Sequence, residues 1–476
     1  MGLLRDWAFI EDMTRIPALS ELVREALIKA LFTRDDRVLP PAIVGTLSKT
    51  PAVTVKVKDD AEVRKLVQVL NGEESTVSLG LSAEDFHYFR RQLGVARGKE
   101  IGIAPRPRSL LTYDWLVPEP RGVQLDFSAY GSVEFPEGSA RAVAQVGAAW
   151  TDLSREALAN GRAVPFVPTV PLDFAIGDAL WGDAPFASYE GDFGAYVLGL
   201  RTVSGYGHRT MVGFDAVSTE GSGYDLVHAI LPHAAEFFLP VAVALRLVAR
   251  PAARRILTYR YADGAKLAAG LEALTRSGRA VAWAHVADAG AAAALRPTLP
   301  PDPFTLQVSL AGPESGLATR EKAIDALLAG FTSKASDVPD PFDLPSEAYR
   351  KTADRVGRSL FVGEVRAPVR SLADLHGKLA GLGEQVGAKA SLYASVRSTG
   401  VVSAFPAFEV QKDRPRVYEL SKGVHRIAKT IPGAVFASRL AHLWEDDEAF
   451  RKRMGILTAL KRDIDAAQVL QPLVSP

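Results

Sequence analysis

Val143-Ala-Gln-Val-Gly147-Ala-Ala-Trp150-Thr-Asp-Leu153 opens the stretch whose reading decides the fold. Ala175-Ile-Gly177-Asp178 follows, then Val197-Leu-Gly-Leu-Arg-Thr-Val203, Gly223-Tyr-Asp-Leu226 and Val241-Ala-Val-Ala-Leu-Arg-Leu247. Arg141–Val146 reads as a strand, and Asp152–Leu158 as a helix stopped by Asn160-Gly161. Between them and the closing segment, residues 164–195 are rich in Pro, Gly and Asp. A loop-dominated run of that length inside a compact domain points to a ligand-binding surface or an excursion. It is the order of these segments that carries information.

Outward toward the N-terminus, Gly122–Phe127, Ser132–Phe135 and Ile101–Ala104 read as short strands. Val53, Val55 and Val57 alternate with polar neighbours, as a half-buried strand does. Asp60 is placed to cap a helix whose Val63, Leu66, Val67 and Leu70 recur at i, i+3, i+4 and i+7. Residues 72–100 are polar and read as an insertion. Residues 1–40 read as helical, with Leu19, Leu22, Val23, Leu27 and Leu31 on one stripe.

Beyond Arg250-Pro251 the rhythm becomes strand–helix–strand, twice. Arg255–Tyr261, Ala280–Val286 and Phe304–Leu310 read as strands, with helices marked by Leu267, Leu271 and Leu274 and by Ala323, Ile324, Leu327 and Leu328. A Pro- and Asp-rich linker, Asp337–Pro345, precedes the second run. That run has a strand at Leu360–Val365, a helix at Leu372–Leu382 and a hairpin of Ala390–Val396 with Val401–Phe408. Two such runs predict an antiparallel sheet with helices on one face. Glu445 to about Asp465 reads as a last helix.

Composition narrows the functional classes. The 476 residues suffice for two or three domains, and 47% apolar with 23% charged residues describe a globular protein. A net charge of +1 with no basic block gives no electrostatic reason to bind nucleic acid or anionic lipid. With no cysteine, this chain supplies no disulfide, thiolate nucleophile or cysteine-ligated metal. None of the eight histidines shows metal-ligand spacing, so no metal site is expected. Met1-Gly-Leu-Leu-Arg-Asp-Trp7 is not followed by a long apolar run, and no segment reaches the roughly 20 apolar residues of a membrane helix. The expectation is a cytoplasmic location, peripheral to a membrane only through a partner.

The layout resembles the FAD-linked oxidases of the vanillyl-alcohol oxidase / p-cresol methylhydroxylase superfamily, nearest to the glycolate oxidase and D-lactate dehydrogenase subunits. The resemblance covers roughly residues 40–476. It rests on Pro41-Ala-Ile-Val44 through Ala61–Val67, Gly122-Val-Gln-Leu-Asp126, Gly147–Leu153, Gly223–Leu226, Val243–Leu247 and Asp465-Ala-Ala-Gln-Val-Leu-Gln-Pro472. It implies an α+β fold: a two-lobed FAD-binding domain at 41–250 with the 72–100 insertion, a cap with an antiparallel sheet and helices on one face at 251–430, and a C-terminal segment, 431–476, returning to the first domain. It implies FAD lying between the lobes and accepting hydride at its N5 from a small 2-hydroxy acid or alcohol.

By the same resemblance, the cofactor-binding positions are Pro105, Arg106, Arg108, Ser109, Gly147, Trp150, Ile176, Gly177 and Val241. The pyrophosphate loop is Pro105–Thr112, in which two arginines stand where consecutive glycines are usual. Asp178 stands where a second glycine is usual, and Asp178 and Asp183 would repel a pyrophosphate. The later glycine-rich loop reads Leu231–Phe237 here. The family's metal-binding hairpin corresponds to Tyr393–Ser403, which has no histidine. Substrate carboxylate recognition would fall to Arg350, Arg355, Arg366 or Arg397. Trp150 borders adenine or fills the core. Two functions stay open: an FAD-dependent oxidoreductase, or a non-catalytic subunit that has lost FAD and works with a flavin or iron–sulfur partner.

Overall fold

The computed structural model describes residues 38–39, 53–71, 103–106, 123–170, 174–182, 186–213, 226–231, 234–295, 303–335, 360–409, 417–437, 448–465 and 469–470. Several expectations lie outside these: the helical stripe at 19–31, the Pro41–Val44 motif, the 72–100 insertion, Arg108 and Ser109, Asp183, the 223–225 motif, the 337–345 linker, and Arg350 and Arg355.

The first lobe is built on a four-stranded sheet. β1 (Val38–Leu39), β2 (Val53–Lys56), α1 (Asp60–Asn71), β3 (Ile103–Arg106) and β4 (Val123–Asp126) follow in chain order. The sheet order is β1-β2-β4-β3, with β2 and β3 parallel to β4 and β1 antiparallel to β2. Three corrections to the sequence reading arise here. Residues 38–39 are a strand rather than the end of a helix. The α1 cap is Asp59, whose carboxylate accepts the Glu62 N–H at 2.9 Å, one residue before the expected Asp60. And β3 runs two residues further than Ala104, taking Pro105 and Arg106 into register with Leu125 and Asp126. An edge strand tolerates Pro105 because its missing donor can face away from the ladder.

The second lobe holds the stretch quoted at the outset. Its elements are β5 (Val133–Glu134), β6 (Arg141–Gln145), α2 (Trp150–Ala159), α3 (Ile176–Trp181), β7 (Val197–Ser204), β8 (Arg209–Gly213) and β9 (Phe238–Arg246). They form an antiparallel sheet, β8-β7-β9-β6-β5. α2 ends at Asn160, and Gly161 turns with φ +68°, as the Asn-Gly pair predicts. The 164–195 run is less irregular than its composition suggests, since it carries α3 and a short paired strand on each side of it.

The cap is a single large antiparallel sheet. Its strands are β10 (Ala253–Tyr261), β11 (Trp283–Asp288), β12 (Phe304–Gly312), β13 (Ser333–Ala335), β14 (Val365–Pro368), β15 (Lys389–Val396), β16 (Val401–Glu409) and β17 (Val435–Phe436). The order is β13-β10-β12-β11-β15-β16-β14-β17, with Leu360–Phe361 also paired to β16. The single strand expected at Leu360–Val365 is therefore two, broken where Gly363 adopts φ +121°. Helices α4 (Gly264–Arg276), α5 (Glu314–Leu328), α6 (Leu372–Gln385) and α7 (Val417–Lys429) belong to this half. Leu267, Leu271 and Leu274 of α4 and Leu372, Leu375 and Leu379 of α6 pack in one core with Val286, Leu306, Val308 and Val402. Each such fully buried side chain stabilises by roughly 1.5–3 kcal/mol.

The opposite face of the cap sheet meets the second lobe. Trp283, Ala287, Tyr393, Phe405 and Ala407 belong to the core cluster that contains Trp150, Phe166, Val241 and Val243. The last helix, α8 (Glu448–Ile464), ends against the second lobe. There the buried Lys461 ammonium donates to Asp465 at 2.8 Å and to the Glu236 carbonyl, and the Asp465 carboxylate accepts the Val469 and Leu470 amides at 2.9 Å. No described helix is long and apolar enough to cross a membrane.

Candidate functional site

Two places bear on function: the glycine turns of the second lobe, and the cap-sheet face pressed against that lobe.

The glycine turns are committed to the lobe's own packing. Gly147 N–H donates to the Tyr130 carbonyl at 2.8 Å, and a Cβ at Gly147 would overlap the Phe127 and Tyr130 carbonyl oxygens. Gly177 N–H donates to the Val146 carbonyl at 2.7 Å, and a Cβ there would stand 2.6 Å from the Trp181 ring. Ile176 N–H donates to the Ala148 carbonyl at 2.9 Å. Both glycines are thus required by close backbone approach. Trp150 fills the core, its indole N–H donating to the Phe166 carbonyl at 3.0 Å. Val241 is buried on β9, its carbonyl accepting from Val146 N–H at 3.1 Å.

Asp178 closes the start of α3. Its carboxylate, fully buried, reaches back to accept the Ala175 N–H at 2.6 Å, one half of a capping box. The amides at 147, 176 and 177 are all spent inside the lobe, and a buried acid holds the helix start. The loop expected to hold the pyrophosphate is a different one, and its residues 107–112 lie outside the described residues. Of the other positions inferred to hold the cofactor, Pro105 is buried within β3 and Arg106 ends that strand, while Arg108 and Ser109 lie outside the described residues.

The cap face has a different character. Cross-strand register places Thr258 (β10), Gln307 (β12), His285 (β11), Ser395 (β15), Ser403 (β16) and Arg366 (β14) in one row, each directly opposite the next. Cross-strand partners share a face, so this row lies on the side of Trp283, Tyr393 and Phe405, toward the second lobe. The first five of these residues are buried. Ser309, opposite Trp283, is also fully buried. The Ser309 and Ser395 hydroxyls have no hydrogen-bond partner among the described residues. An unpaired buried hydroxyl costs about 1–3 kcal/mol, and natural proteins rarely leave one without a reason.

His285 sits on the strand between those that carry these hydroxyls, with its ring 4.8 Å from that of Trp283. Burial pushes its imidazole down to about 3, so it is neutral at ordinary pH. At the end of the row the Arg397 guanidinium donates to Ser403 Oγ at 3.3 and 3.4 Å. Asp192, from the second lobe, lies 3.6 Å from Arg366 and 3.9 Å from Arg397, while Glu364 pairs with Arg366 at 2.8 Å. Two cations therefore face two carboxylates. Backbone bonds fix this junction: Tyr189 N–H donates to the Ala282 carbonyl at 3.0 Å, and Ser398 N–H to the Tyr189 carbonyl at 2.8 Å.

Sequence reasoning singled out Arg366 and Arg397 but missed His285, Ser309 and Ser395. Strands at 280–286 and 390–396 were legible, yet a serine facing inward looks like any small strand residue until register shows what stands opposite. Among the described residues no group of three histidine or acidic side chains is arranged to hold a metal.

No family model and no curated protein matches the sequence. Solved structures do. A substrate-bound p-cresol methylhydroxylase is 12% identical over 96% of both chains, with a TM-score of 0.72. The 4-ethylphenol oxidase of Gulosibacter chungangensis, in complex with isoeugenol, is 10% identical over 96% of both chains, with a TM-score of 0.73. An alkyldihydroxyacetonephosphate synthase is 15% identical over 90% of this chain and 78% of its own, with a TM-score of 0.62. At such low identity the likeness is one of architecture: the chain has the two-lobed-plus-cap fold of the p-cresol methylhydroxylase-type oxidases.

Proposed function

We propose that this chain is an FAD-linked oxidoreductase, or one component of such an enzyme, that holds a small hydroxyl-bearing molecule between the second lobe and the cap sheet. The observation that carries the reading is the buried row around His285, Ser395 and Ser403, set in a fold that follows p-cresol methylhydroxylase from end to end. The finer affinity to glycolate oxidase and D-lactate dehydrogenase subunits rests on sequence motifs alone.

Because arginines stand where consecutive glycines are usual, pyrophosphate recognition falls to charge from Arg106 and Arg108, with Ser109, in place of a glycine cradle. The second reading is a flavin-free subunit working with a flavin or iron–sulfur partner; it draws on Asp178, a buried carboxylate standing where the resemblance implies a second glycine. The visible spectrum of the purified chain, before and after added FAD, separates the two. Stoichiometric flavin bands support the first reading. A colourless protein that takes up no FAD overturns it and leaves the second.

A further inference from the structure

We propose that the second lobe carries a site for a small phosphate-type oxyanion at Arg141 and Arg246, apart from any flavin site. The proposal does not rest on the presence of flavin.

Register brings the two arginines together. Arg141 opens β6, Arg246 closes β9, and they stand directly opposite each other. Ala142, Ala144, Val243 and Leu245 of these strands face the main core, whereas Val143 and Ala244 form a separate small cluster on the other face. Side chains alternate along a strand, so Arg141 and Arg246 continue that second row. Cross-strand Cβ atoms are about 5 Å apart, and like charges so placed repel. Gly147 lies beyond the far end of β6, about 20 Å along the strand direction from Arg141.

Among the described residues no carboxylate answers this charge. Arg141 Nε and Nη1 are buried and have no acceptor. Its Nη2 has no acceptor either but is not sealed, so it is the nitrogen open to a ligand. Arg246 is exposed, its guanidinium 5.3 Å above the Tyr196 ring, with Nη2 donating to the Ala195 carbonyl at 3.5 Å. Glu134, opposite Val143 on the same face, is exposed and pairs with neither arginine. Arg366 and Arg397, by contrast, share Asp192.

A guanidinium buried without acceptors is costly, and a second cation opposite it adds to the cost. An oxyanion seated against Arg141 Nη2 and the Arg246 guanidinium offsets both. A tetrahedral oxyanion fits because it is compact, carries up to two charges and offers acceptors to two guanidinium planes at once.

The test is calorimetric titration of the whole chain with inorganic phosphate at neutral pH, against chloride at equal ionic strength. Saturable phosphate binding is expected, weakened at least about tenfold by Arg246→Ala and by Arg141→Met. Arg276→Ala, which removes an exposed arginine paired with Glu272, should leave it unchanged. So should Arg106→Ala/Arg108→Ala, which separates this site from the proposed pyrophosphate site. Thermal melts give a second readout. Without phosphate, Arg141→Met should melt no lower than the unaltered chain, because it removes a buried charge that has no partner. With phosphate, the unaltered chain should gain and Arg141→Met should not. No saturable binding, affinity unmoved in folded Arg141→Met and Arg246→Ala, or binding lost only in the Arg106/Arg108 variant overturns the proposal. A lower phosphate-free melt for Arg141→Met would show a guanidinium already satisfied by the fold, and overturns it too. Flavin absorbance of the same samples bears on the oxidoreductase reading alone.

Discussion

The Asp178 carboxylate accepts the Ala175 backbone N–H at 2.6 Å, sealing the start of a short helix with a fully buried acid. Neutralising or removing it strips a cap from a site that water does not reach. Asp178→Ala is expected to lower stability by about 1–2 kcal/mol, read by urea denaturation. A change close to zero would mean that the carboxylate does not hold this turn. Asp178→Asn keeps an acceptor and is expected to lose less.

Gly147 gives a sharper case. Its Cα lies so close to the Phe127 and Tyr130 carbonyls that a methyl group has no room, and its φ is not in the left-handed region. Gly147→Ala therefore requires backbone movement and is expected to cost about 3 kcal/mol or prevent folding. Gly161→Ala is the contrast. Its φ of +68° disfavours a side chain, but nothing lies near its Cβ direction, so a loss of about 1 kcal/mol is expected. Equal losses in the two variants would show that close packing is not what Gly147 provides.

The end of α8 is fixed by a buried ion pair. Lys461→Met would leave Asp465 with two backbone amides but no Lys461 cation, at an expected cost of about 3–5 kcal/mol. Limited proteolysis should then release the C-terminal segment before the lobes are cut. Unchanged proteolysis and melting would contradict the view that this pair ties the last helix to the second lobe.

His285 makes stability depend on pH. In the unfolded chain its imidazole has the ordinary value of about 6.5, while burial lowers it to about 3 in the fold. Between those values the unfolded state binds a proton that the folded state does not, so stability falls as pH falls through that window. His285→Asn removes the effect. The loss of stability between pH 7 and pH 5 should be smaller in that variant by about 2 kcal/mol. Equal losses in both proteins would place the His285 titration near its unfolded value.

The two halves of the molecule were legible in the sequence to different degrees. Period-two alternation around Val53–Val57 and the apolar runs of the hairpin at 390–408 gave strands that the structure bears out: Val55 and Val57 are buried with Lys56 less so between them, and the hairpin is buried on both faces. Helix α7 was missed although its apolar stripe is strong: it follows a charged run at Lys412–Arg416 that reads as loop. The glycines at 147 and 177 were visible, but their purpose was not. A glycine required by a neighbouring carbonyl and one required by a ligand look identical in one dimension. The row from Thr258 to Arg366 was least legible of all, because its members come from six strands spread over about 150 residues and meet only through register.

Arg106 and Arg108 carry the remaining weight. The most direct measurement is the visible absorption of the purified chain titrated with FAD, alongside the Arg106→Ala/Arg108→Ala double variant. Stoichiometric flavin bands in the unaltered chain, lost in a double variant that still melts cooperatively, are the predicted result. A colourless chain that takes up no added FAD would contradict the account at its centre.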